Sequence, residues 1–537
     1  MHPLVEAELR GASAIDPDVP FRARTNHTHA TWARTFSSLP ELYIQPESTA
    51  EILKAIALAR RCRRRIVVTG CAHSPSSITC TSAWMLNLDR FADVLAVDRP
   101  SGTVVMQAGI RLFALCERLE REGLAMPNLG SINEQSIAGA IATGTHGSSL
   151  RHGLMSEDVL ALKVALADGS EVRCARDQRP ELFRAASLSL GALGVVTEVT
   201  FRAVPAYTLR WAQTVDADAK LFAAWHRDDL WTAHEFVRVW WFPYTRRAVV
   251  WHADQTDEPP RAPPRSGYDS RLGYYLYHNL LYLAQFAPRI LPLVEWLVFG
   301  LQYGFRNGAR AEAVQPSREA LLMNCLYPQF VNEWAIPLHR GPEALRRLGA
   351  WLNRLPPSDP AYVPHGIPFS ADGLYVHAPV EVRVSDTTLH TTNPASPSSA
   401  SPSTSSEARN PRPFLDPTVP DGPTLYLNAT LYRPYFRDPP CRARYYQAFE
   451  WLMRDMGGRP HWAKNFESRR PDIEDLYGQD LQDFRRVRDD ADPLGMFIGP
   501  WHRERILADG SVYELEEREA FREQTARGVT VHGAMEK

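Results

Sequence analysis

A tract of small and polar residues constrains the fold of this chain more than any other segment. Pro127–Ser149 reads PNLGSINEQSIAGAIATGTHGSS, with glycines at 130, 139, 144 and 147. Such a run lets the backbone approach something flat or close, because larger side chains would obstruct the contact. A contact between helices would explain Ala138–Ala142. It would not explain the flanking polar side chains, which supply hydrogen-bonding groups for a large ligand: Ser131, Gln135, Ser136, Thr143, Thr145 and His146.

A second candidate ligand loop is Thr69–Ser76, which reads TGCAHSPS. It follows Arg65–Thr69 (RIVVT), a β-branched run that predicts a buried strand ending at Gly70. Glycine and small residues let backbone N–H groups form a concave nest, which binds phosphate without a lysine. Taken alone, the octet is more typical of a glycine-led turn, and His73 of an ordinary loop histidine. A Rossmann site is not indicated, because the chain has no G-x-G-x-x-G motif.

The order of apolar runs predicts two α+β regions. In residues 38–207, which follow an N-terminal extension (1–37), one helix is predicted at Thr49–Cys62. The predicted strands of this region are Val94–Val97, Thr103–Gln107, Val159–Ala167 and Gly194–Arg202. Residues 208–537 are richer in Trp, Tyr and Pro, with strand-like runs at Ala248–His252 and Thr424–Leu431. Within them, residues 393–412 form a Ser/Pro insert with almost nothing to bury, so we expect a disordered loop.

Composition excludes several classes of partner. Lys and Arg number 60 against 62 Asp and Glu, so no basic excess favours nucleic acid. Seven cysteines without paired spacing indicate neither a disulfide framework nor a zinc site, and they favour a reducing compartment. The first twenty residues have no apolar core, so we expect no secretory signal, and they are too acidic for a convincing mitochondrial presequence. We expect no metal.

The segment Tyr274–Phe305 is strongly apolar and aromatic, reading YYLYHNLLYLAQFAPRILPLVEWLVFGLQYGF. Pro288, Arg289, Pro292 and Glu295 interrupt it, and a spanning helix needs about 20 predominantly apolar residues. Two short helices lying on a membrane surface would fit the pattern. A buried helical hairpin would fit it equally well.

Three segments in order resemble the FAD domain of the vanillyl-alcohol-oxidase (PCMH-type) superfamily. They are the strand followed by GCAHSPS, then LGSINEQSIAGAIATGTHG, then GALGVVTEVTFR. Two later motifs narrow the resemblance. His461–Lys464 (HWAK) and Pro379–Arg383 (PVEVR) are similar to signatures of the aldonolactone oxidases. The resemblance implies a two-subdomain FAD-binding domain at 38–207. It also implies an α+β substrate (cap) domain with an antiparallel sheet at 208–537, whose C-terminal segment contacts FAD.

The resemblance also implies the cofactor contacts. His73 occupies the position at which members with covalent flavin bond the 8α-methyl group to a histidine. Lys464 should lie near the flavin N1/O2 edge, where negative charge appears on reduction. The other expected FAD-binding residues are Thr69, Gly70, Cys71, Ala72, Ser74, Pro75, Gly130, Ser131, Gln135, Ser136, Gly139, Thr143, Thr145, His146, Gly194, Val195 and Val196. His146 is expected beside the isoalloxazine or hydrogen-bonded within the tract, and not as a catalytic group.

Glu381 and Arg383 are the candidate substrate-binding pair. They are two residues apart, so on a strand both side chains point to the same face. The arginine would orient the lactone oxygens, and the glutamate would position the hydroxyl or accept its proton. An exposed ion pair is the alternative, and the identity of the base stays open. Asp492–Phe497 (DPLGMF) resembles the family's C-terminal turn, which we expect to be structural.

The activity implied is oxidation of a small sugar lactone, D-arabinono-1,4-lactone by resemblance, with O2 as electron acceptor. The products would be dehydro-D-arabinono-1,4-lactone (erythroascorbate) and H2O2. One alternative is another carbohydrate or alditol oxidase of the superfamily. A second is a flavin-binding protein without turnover, with Tyr274–Phe305 as a docking element. The resemblance further implies a mitochondrial membrane location.

Overall fold

The computed structural model describes residues 3–11, 16–227, 229–264, 267–268, 270–323, 325–377, 379–388 and 411–507, together with the backbone of 521–523. Of the Ser/Pro insert expected at 393–412, only Pro411 and Arg412 fall within these ranges. The expectation of disorder there therefore lies outside the described residues.

The N-terminal region alternates short strands and helices. Its elements are α1 (Pro3–Arg10), β1 (Ala23–Arg24), β2 (His29–Ala30), β3 (Phe36–Ser38), β4 (Leu42–Ile44), α2 (Thr49–Arg61), β5 (Ile66–Thr69), β6 (Trp84–Asn87), β7 (Val94–Asp98), β8 (Thr103–Gln107), α3 (Leu112–Arg121), β9 (Leu124–Ala125), α4 (Ile137–Ala142), β10 (Val159–Ala165), β11 (Glu171–Ala175), α5 (Pro180–Ala186), β12 (Val195–Arg202) and β13 (Val204–Pro205). The predicted helix and strands of this region are confirmed to within two residues at each end.

Local chemistry explains where these elements begin and end. Helix α2 begins after Ser48, whose side chain accepts a hydrogen bond from the Glu51 N–H at 3.3 Å, the usual arrangement of an N-cap. Strand β10 stops before its predicted end at Ala167, because a turn at Gly169, with φ of +89°, reverses the chain towards β11. Strand β5 ends at Thr69, which places Gly70 and the following residues in a loop at the sheet edge.

Two main sheets form this N-terminal region as far as the structure describes it, and two smaller ones accompany them, β9 paired with β13 and β3 paired with β2 and β22 (Phe521–Glu523). A four-stranded sheet has the order β1-β4-β6-β5, with β6 parallel to both β4 and β5. A five-stranded antiparallel sheet has the order β11-β10-β12-β8-β7. The two larger sheets correspond to the two subdomains that the resemblance implied. The loop Thr69–Ser76 and the small-residue tract Pro127–Ser149 lie between strands of these sheets along the chain.

The second region contains one large sheet with helices. Its elements are β14 (Thr208–Ala217), α6 (Asp218–His226), β15 (Phe236–Phe242), β16 (Arg247–Gln255), α7 (Arg271–Ala284), α8 (Leu291–Tyr303), β17 (Ala309–Pro316), α9 (Ser317–Ala320), β18 (Gln329–Pro337), α10 (Gly341–Leu352), β19 (Val380–Ser385), β20 (Thr424–Tyr432), α11 (Arg442–Asp455), β21 (Arg459–Pro460), α12 (Arg470–Ala491), α13 (Pro500–Arg505) and β22 (Phe521–Glu523). Strand β14 begins at Thr208, and the exact domain boundaries stay a prediction.

The large sheet is antiparallel and has eight strands in the order β17-β14-β16-β15-β19-β20-β18-β21. Its two faces have opposite character because successive side chains of a strand alternate in direction. On one face, apolar side chains such as Val382 and Leu427 pack against Leu348 of α10 and Phe449 of α11. The other face carries the polar side chains of the candidate site.

The C-terminal segment returns to the N-terminal sheets. The Asp492 carboxylate accepts hydrogen bonds from the backbone N–H groups of Met496 and Phe497, both at 2.8 Å. Both side chains are buried in the core around β4 and β6, and the Ile66 N–H donates to the Met496 carbonyl at 2.8 Å. The DPLGMF turn thus fixes the end of the second region against the beginning of β5.

The segment Tyr274–Phe305 forms helices α7 and α8, which contact each other. One side of the pair, including Tyr277, Leu281 and Val298, is buried in the core. The other side exposes large apolar side chains, namely Leu272, Tyr275, Leu276, Leu283, Phe286, Leu293, Trp296 and Leu301. Among the described residues, no helix has the length and apolar character that crossing a membrane requires. The segment is therefore buried on one side, as expected of a buried helical hairpin, and apolar and exposed on the other, as expected of two helices on a membrane surface.

Candidate active site

A cavity of about 910 Å³ opens between the two N-terminal sheets. Its walls come from the loop after β5, the small-residue tract, the loop before β12 and the C-terminal segment. The expected cofactor residues that line it are Thr69, Gly70, Cys71, Ala72, His73, Ser74, Gln135, Ser136, Gly139, Thr143, Gly194 and Val196. Phe497 and His502 of the C-terminal segment also line it, although neither was among the expected cofactor residues. The structure thus brings together the two segments that the sequence singled out.

Six expected cofactor residues lie outside this lining. Val195, the first residue of β12, is fully buried in the hydrophobic core. The Pro75 carbonyl accepts hydrogen bonds from the Thr35 hydroxyl and the Asn465 amide. The remaining four lie in the tract. Gly130 and Thr145 contact other residues of the tract, whereas Ser131 contacts Met323 and His146 contacts Glu333.

The loop after β5 touches the tract directly. A Cβ atom added at Gly70 would lie 2.3 Å from the Ser136 hydroxyl, so only a glycine fits at this crossing. The Gly70 carbonyl accepts a hydrogen bond from Asn87 at 2.9 Å, and Ala72 has a positive φ of +54°. This conformation turns the backbone N–H groups of Gly70, Ala72 and Ser74 away from other protein acceptors. Within the described chain, none of these three groups donates a hydrogen bond.

These features fit a flavin dinucleotide. Unpaired N–H groups on a curved loop are a nest for an anion such as a diphosphate. The cavity walls also include apolar side chains such as Val68, Ile78 and Phe497, which suit flat ring systems. FAD would therefore be held by the loop 69–74 and the tract together.

His73 lies in the cavity wall with a side chain only 8% exposed. Its ring stacks on Trp32 at a centroid distance of 4.5 Å and an interplanar angle of 16°. Burial, with the nearby charge of Lys464, lowers the pKa of His73 to about 4. The imidazole is therefore neutral at neutral pH and keeps a nucleophilic nitrogen.

Three strands of the large sheet place polar side chains in a single row. Glu381 on β19 pairs with Asn428 on β20, and Asn428 pairs with Glu333 on β18. All three are buried. Asn428 donates to the Glu333 carboxylate at 3.1 Å and lies 3.5 Å from the Glu381 carboxylate. The row crosses the face of the sheet opposite the apolar core.

Glu381 and Arg383 form a bidentate pair, with both hydrogen bonds at 2.8 Å. Their side chains are 10% and 11% exposed, so the pair is not the exposed surface pair that the sequence left as an alternative. Although burial opposes it, the neighbouring Glu381 raises the pKa of Arg383, which stays charged. The guanidinium Nη1 has no hydrogen-bond acceptor among the described residues, which leaves it available to a substrate.

The HWAK motif forms a turn beside this row. The His461 N–H donates to the Glu333 carbonyl at 2.9 Å, and the Trp462 indole donates to the Leu415 carbonyl at 2.6 Å. Lys464 Nζ lies 3.4 Å from the Glu333 carboxylate. Asn465, the next residue, donates to the Pro75 carbonyl at 2.9 Å. This contact joins the polar row of the sheet to the loop that carries His73.

Glu333 and Asn428 are site residues that sequence reasoning missed. Each lies in a strand that is otherwise mainly apolar, in QFVNEWAIP and TLYLNATLY respectively. A polar side chain that is buried in such a strand needs a partner, and that pattern could have drawn attention to both. Trp32 was also missed, because nothing in the N-terminal extension pointed to the cavity.

Two clusters of potential metal ligands occur among the described residues. In the first, His146, Glu333 and His461 are buried, but the Glu333 oxygens already accept hydrogen bonds from His146 and Asn428 and face Lys464. In the second, the rings of His234 and His252 stack at 3.8 Å with an interplanar angle of 16°. Nearly parallel rings do not direct their in-plane lone pairs to one ion, so we assign neither cluster to a metal.

Comparison with known proteins identifies the family. A model of the D-arabinono-1,4-lactone oxidase family matches residues 199–505, and an FAD-binding-domain model matches residues 40–175. The D-arabinono-1,4-lactone oxidase of Yarrowia lipolytica is 40% identical, over 89% of this chain and 96% of that protein. The chain belongs to the D-arabinono-1,4-lactone oxidase family. The D-arabinono-1,4-lactone oxidase of Saccharomyces cerevisiae is 35% identical, over 89% of this chain and 96% of that protein.

Further comparisons agree with this membership. A Neurospora crassa protein, provisionally named a D-arabinono-1,4-lactone oxidase, is 58% identical over 92% of this chain and 89% of its own. Among solved structures, a variant of cholesterol oxidase from Brevibacterium sterolicum aligns with a TM-score of 0.70 at 17% identity. The alignment covers 91% of this chain and 99% of that one. At this identity the likeness concerns the fold alone, and it matches the PCMH-type architecture expected from the sequence.

Proposed function

We propose that this protein oxidises D-arabinono-1,4-lactone and related aldono-1,4-lactones, with FAD as cofactor and O2 as electron acceptor. The products would be dehydro-D-arabinono-1,4-lactone and H2O2. The observation that carries the proposal is the buried Glu381–Arg383 pair, whose sheet face is joined to the cavity through Lys464 and Asn465. The names of the family relatives support the choice of a lactone as substrate.

When bound, FAD supplies the acceptor for a hydride from the carbinol carbon and a route for the two electrons to O2. The protein residues bind and orient the lactone. Arg383, held in one plane by Glu381, presents its Nη1 hydrogens to the lactone oxygens. Lys464 keeps a fixed positive charge beside the cavity, where electron density increases during the reaction.

His461 serves as a hydrogen-bond donor in this proposal. Its Nδ1 accepts a hydrogen bond from the Ala463 N–H at 3.2 Å, and burial lowers the pKa of the ring to about 3. The neutral ring therefore carries its proton on Nε2, where it can donate but cannot accept. Glu381, which lies on the same sheet face beside Arg383, is the better candidate for the group that takes the hydroxyl proton.

The test is H2O2 release by the purified protein with a panel of sugars at equal concentration. We expect turnover of D-arabinono- and galactono-1,4-lactone and much slower turnover of alditols. Rapid oxidation of alditols without lactone turnover would favour the alternative carbohydrate oxidase. If no sugar yields peroxide while flavin is bound, the flavin-binding protein without turnover would stand instead.

We further propose that the flavin is bonded covalently to His73. The neutral, buried imidazole in the cavity wall supports this, because bonding to the flavin 8α carbon requires a free nitrogen lone pair. The new N–C bond would replace one C–H bond of the methyl group, and the two electrons released would pass through the flavin to O2, giving H2O2. Trp32 would hold the ring in position by stacking. In the variant His73→Ala, we expect acid treatment to release all flavin from the polypeptide. Flavin retained by the acid-treated variant would exclude His73 as the attachment site.

We propose, finally, that α7 and α8 rest on a membrane, which family resemblance suggests is mitochondrial. The exposed Phe286, Leu293 and Trp296 support this, because large apolar side chains on and between two adjoining helices are the groups that insert into a membrane surface. The test is co-sedimentation of the protein with anionic phospholipid vesicles. The double variant Leu293→Ser/Trp296→Ser should stay in the supernatant. Leu95→Ser, at an exposed leucine on β7, is the matched control and should still bind; equal binding by all three proteins would refute the proposal.

A further inference from the structure

The His146 ring faces an oxygen acceptor at each of its two nitrogens. Nδ1 lies 2.8 Å from the Gly147 carbonyl, and Nε2 lies 2.8 Å from the Glu333 carboxylate. Both side chains are 2% exposed, so water does not compete for these contacts. A neutral imidazole has only one N–H group and can donate only one of these hydrogen bonds.

Two proton arrangements satisfy this geometry: a doubly protonated His146 beside a carboxylate, or a neutral His146 beside a protonated Glu333. The other Glu333 oxygen decides between them. It accepts a hydrogen bond from Asn428 at 3.1 Å and faces the Lys464 ammonium at 3.4 Å. Donors at both oxygens favour the ionised carboxylate.

We propose that His146 is an imidazolium and that Glu333 is the positioning residue that holds two cations, His146 and Lys464. Both cations lie at the polar row of the large sheet, beside Glu381 and Arg383, and we call this region the substrate chamber. Two other neighbours of the ring agree with this charge. Tyr426 stacks on it at 3.5 Å and 9°, an arrangement that favours a cationic ring. His461, tilted at 5.5 Å, is neutral because its Nδ1 accepts a hydrogen bond.

The consequence of this arrangement is a net positive charge in the chamber. Glu333 neutralises one of its two cations, and the Glu381–Arg383 pair is neutral as a unit. These five side chains together therefore keep one positive charge where the proposed reaction increases electron density, and the buried guanidinium of Arg238, close to Arg383, adds another. This part of the inference rests on the proposed flavin chemistry, whereas the protonation state of His146 does not.

The direct test is ¹⁵N NMR of the flavin-containing protein labelled only in its histidine side chains. The signal pair that disappears in His146→Gln identifies His146. We expect both of its ring nitrogens to carry protons at pH 7. A single protonated nitrogen in the unsubstituted protein would overturn the inference, and this result needs no variant that disturbs Glu333.

Substitution of Glu333 then tests the positioning role. In Glu333→Gln, we expect His146 to lose one ring proton at pH 7. The matched control is Glu450→Gln, because Glu450 is also buried and hydrogen-bonded but lies among Asn332 and Ser468, outside the chamber. The control should leave the His146 signals unchanged. Loss of the proton in both variants would overturn the assignment of Glu333.

Kinetics separate positioning from direct substrate contact. Because Glu333 uses both oxygens within the protein, its substitution should lower kcat by roughly 10- to 100-fold with little change in KM. Glu333→Asp keeps the charge and should recover part of kcat. An unchanged kcat in Glu333→Gln would overturn the role. Failure of the proposed function is distinguishable, because the unsubstituted protein would then yield no peroxide while the NMR result would still stand.

Discussion

Removing one partner of the Glu381–Arg383 pair should destabilise the protein more than removing both. The two side chains form two hydrogen bonds of 2.8 Å in a site where each is about one-tenth exposed. Glu381→Gln leaves an uncompensated guanidinium, and Arg383→Met leaves an uncompensated carboxylate. The double variant leaves neither charge.

The geometry sets the size of the effect. Two unit charges 2.8 Å apart attract by about 6 kcal/mol at an effective dielectric constant of about 20. Desolvation offsets part of this, and breaking one side of a buried pair typically costs about 3–5 kcal/mol. We therefore expect each single variant to lose about 3 kcal/mol or more of unfolding free energy, and the double variant to lose no more than the worse single.

The assay is urea unfolding of the four proteins, followed by tryptophan fluorescence. The matched control is the same cycle at Arg340 and Glu343, a bidentate pair at 2.8 and 3.1 Å whose side chains are 33% and 44% exposed. For that exposed pair, the coupling free energy between the two substitutions should be less than about 1 kcal/mol. Additive losses of unfolding free energy at Glu381 and Arg383, or losses equal to those at the control pair, would show that burial does not couple the two charges as expected.

Three further predictions concern the cavity and its charge. Lys464→Met should lower kcat about 10²- to 10³-fold, measured as peroxide release, whereas the same change at the exposed Lys220 should have no effect. In the His73→Ala background, where flavin is expected to bind without a covalent bond, Gly70→Ala should weaken FAD binding by about 1–3 kcal/mol in a flavin titration, because its Cβ meets the Ser136 side chain. Adding Ser136→Gly to that protein should recover most of the affinity. Burial lowers the pKa of His502 to about 4, below its usual 6.5, so stability present above pH 6.5 is lost as pH falls towards 4. Urea unfolding of His502→Asn should therefore show about 3 kcal/mol less acid destabilisation over that range.

Some of the site could be predicted because it depends on local sequence. Glu381 and Arg383 share a face since alternation along a strand has a period of two. The loop after β5 was predicted from the β-branched run and Gly70, whose contact with Ser136 allows no larger residue. The expected antiparallel sheet came from family resemblance, which also covered the HWAK turn.

The rest depends on strand register, which sequence alone does not set. Glu333 and Asn428 are 95 residues apart, and only the pairing of β18 with β20 places them side by side. The partner of His146 is likewise 187 residues away on that same strand. Trp32 reaches His73 from a segment without periodic pattern. Such contacts follow from tertiary pairing that a single sequence does not specify.

The exposed side of α7 and α8 shows a different limit. Apolar content predicted two helices correctly, but it did not distinguish the buried Tyr277 and Val298 from the exposed Phe286 and Trp296. A helix that is apolar on nearly all sides has no polar face to orient it. Its orientation therefore became known only from the packing of the surrounding strands.

Peptide mapping tests the central claim, that one flavin occupies the cavity between the loop 69–74 and the tract. Trypsin cleaves after Arg65 and Arg90, so His73 lies in the single peptide Ile66–Arg90. We expect a yellow native protein and, after denaturation and digestion, flavin fluorescence in that peptide alone, with the added mass on His73. A colourless native protein, or flavin attached to a peptide from elsewhere in the chain, would contradict it.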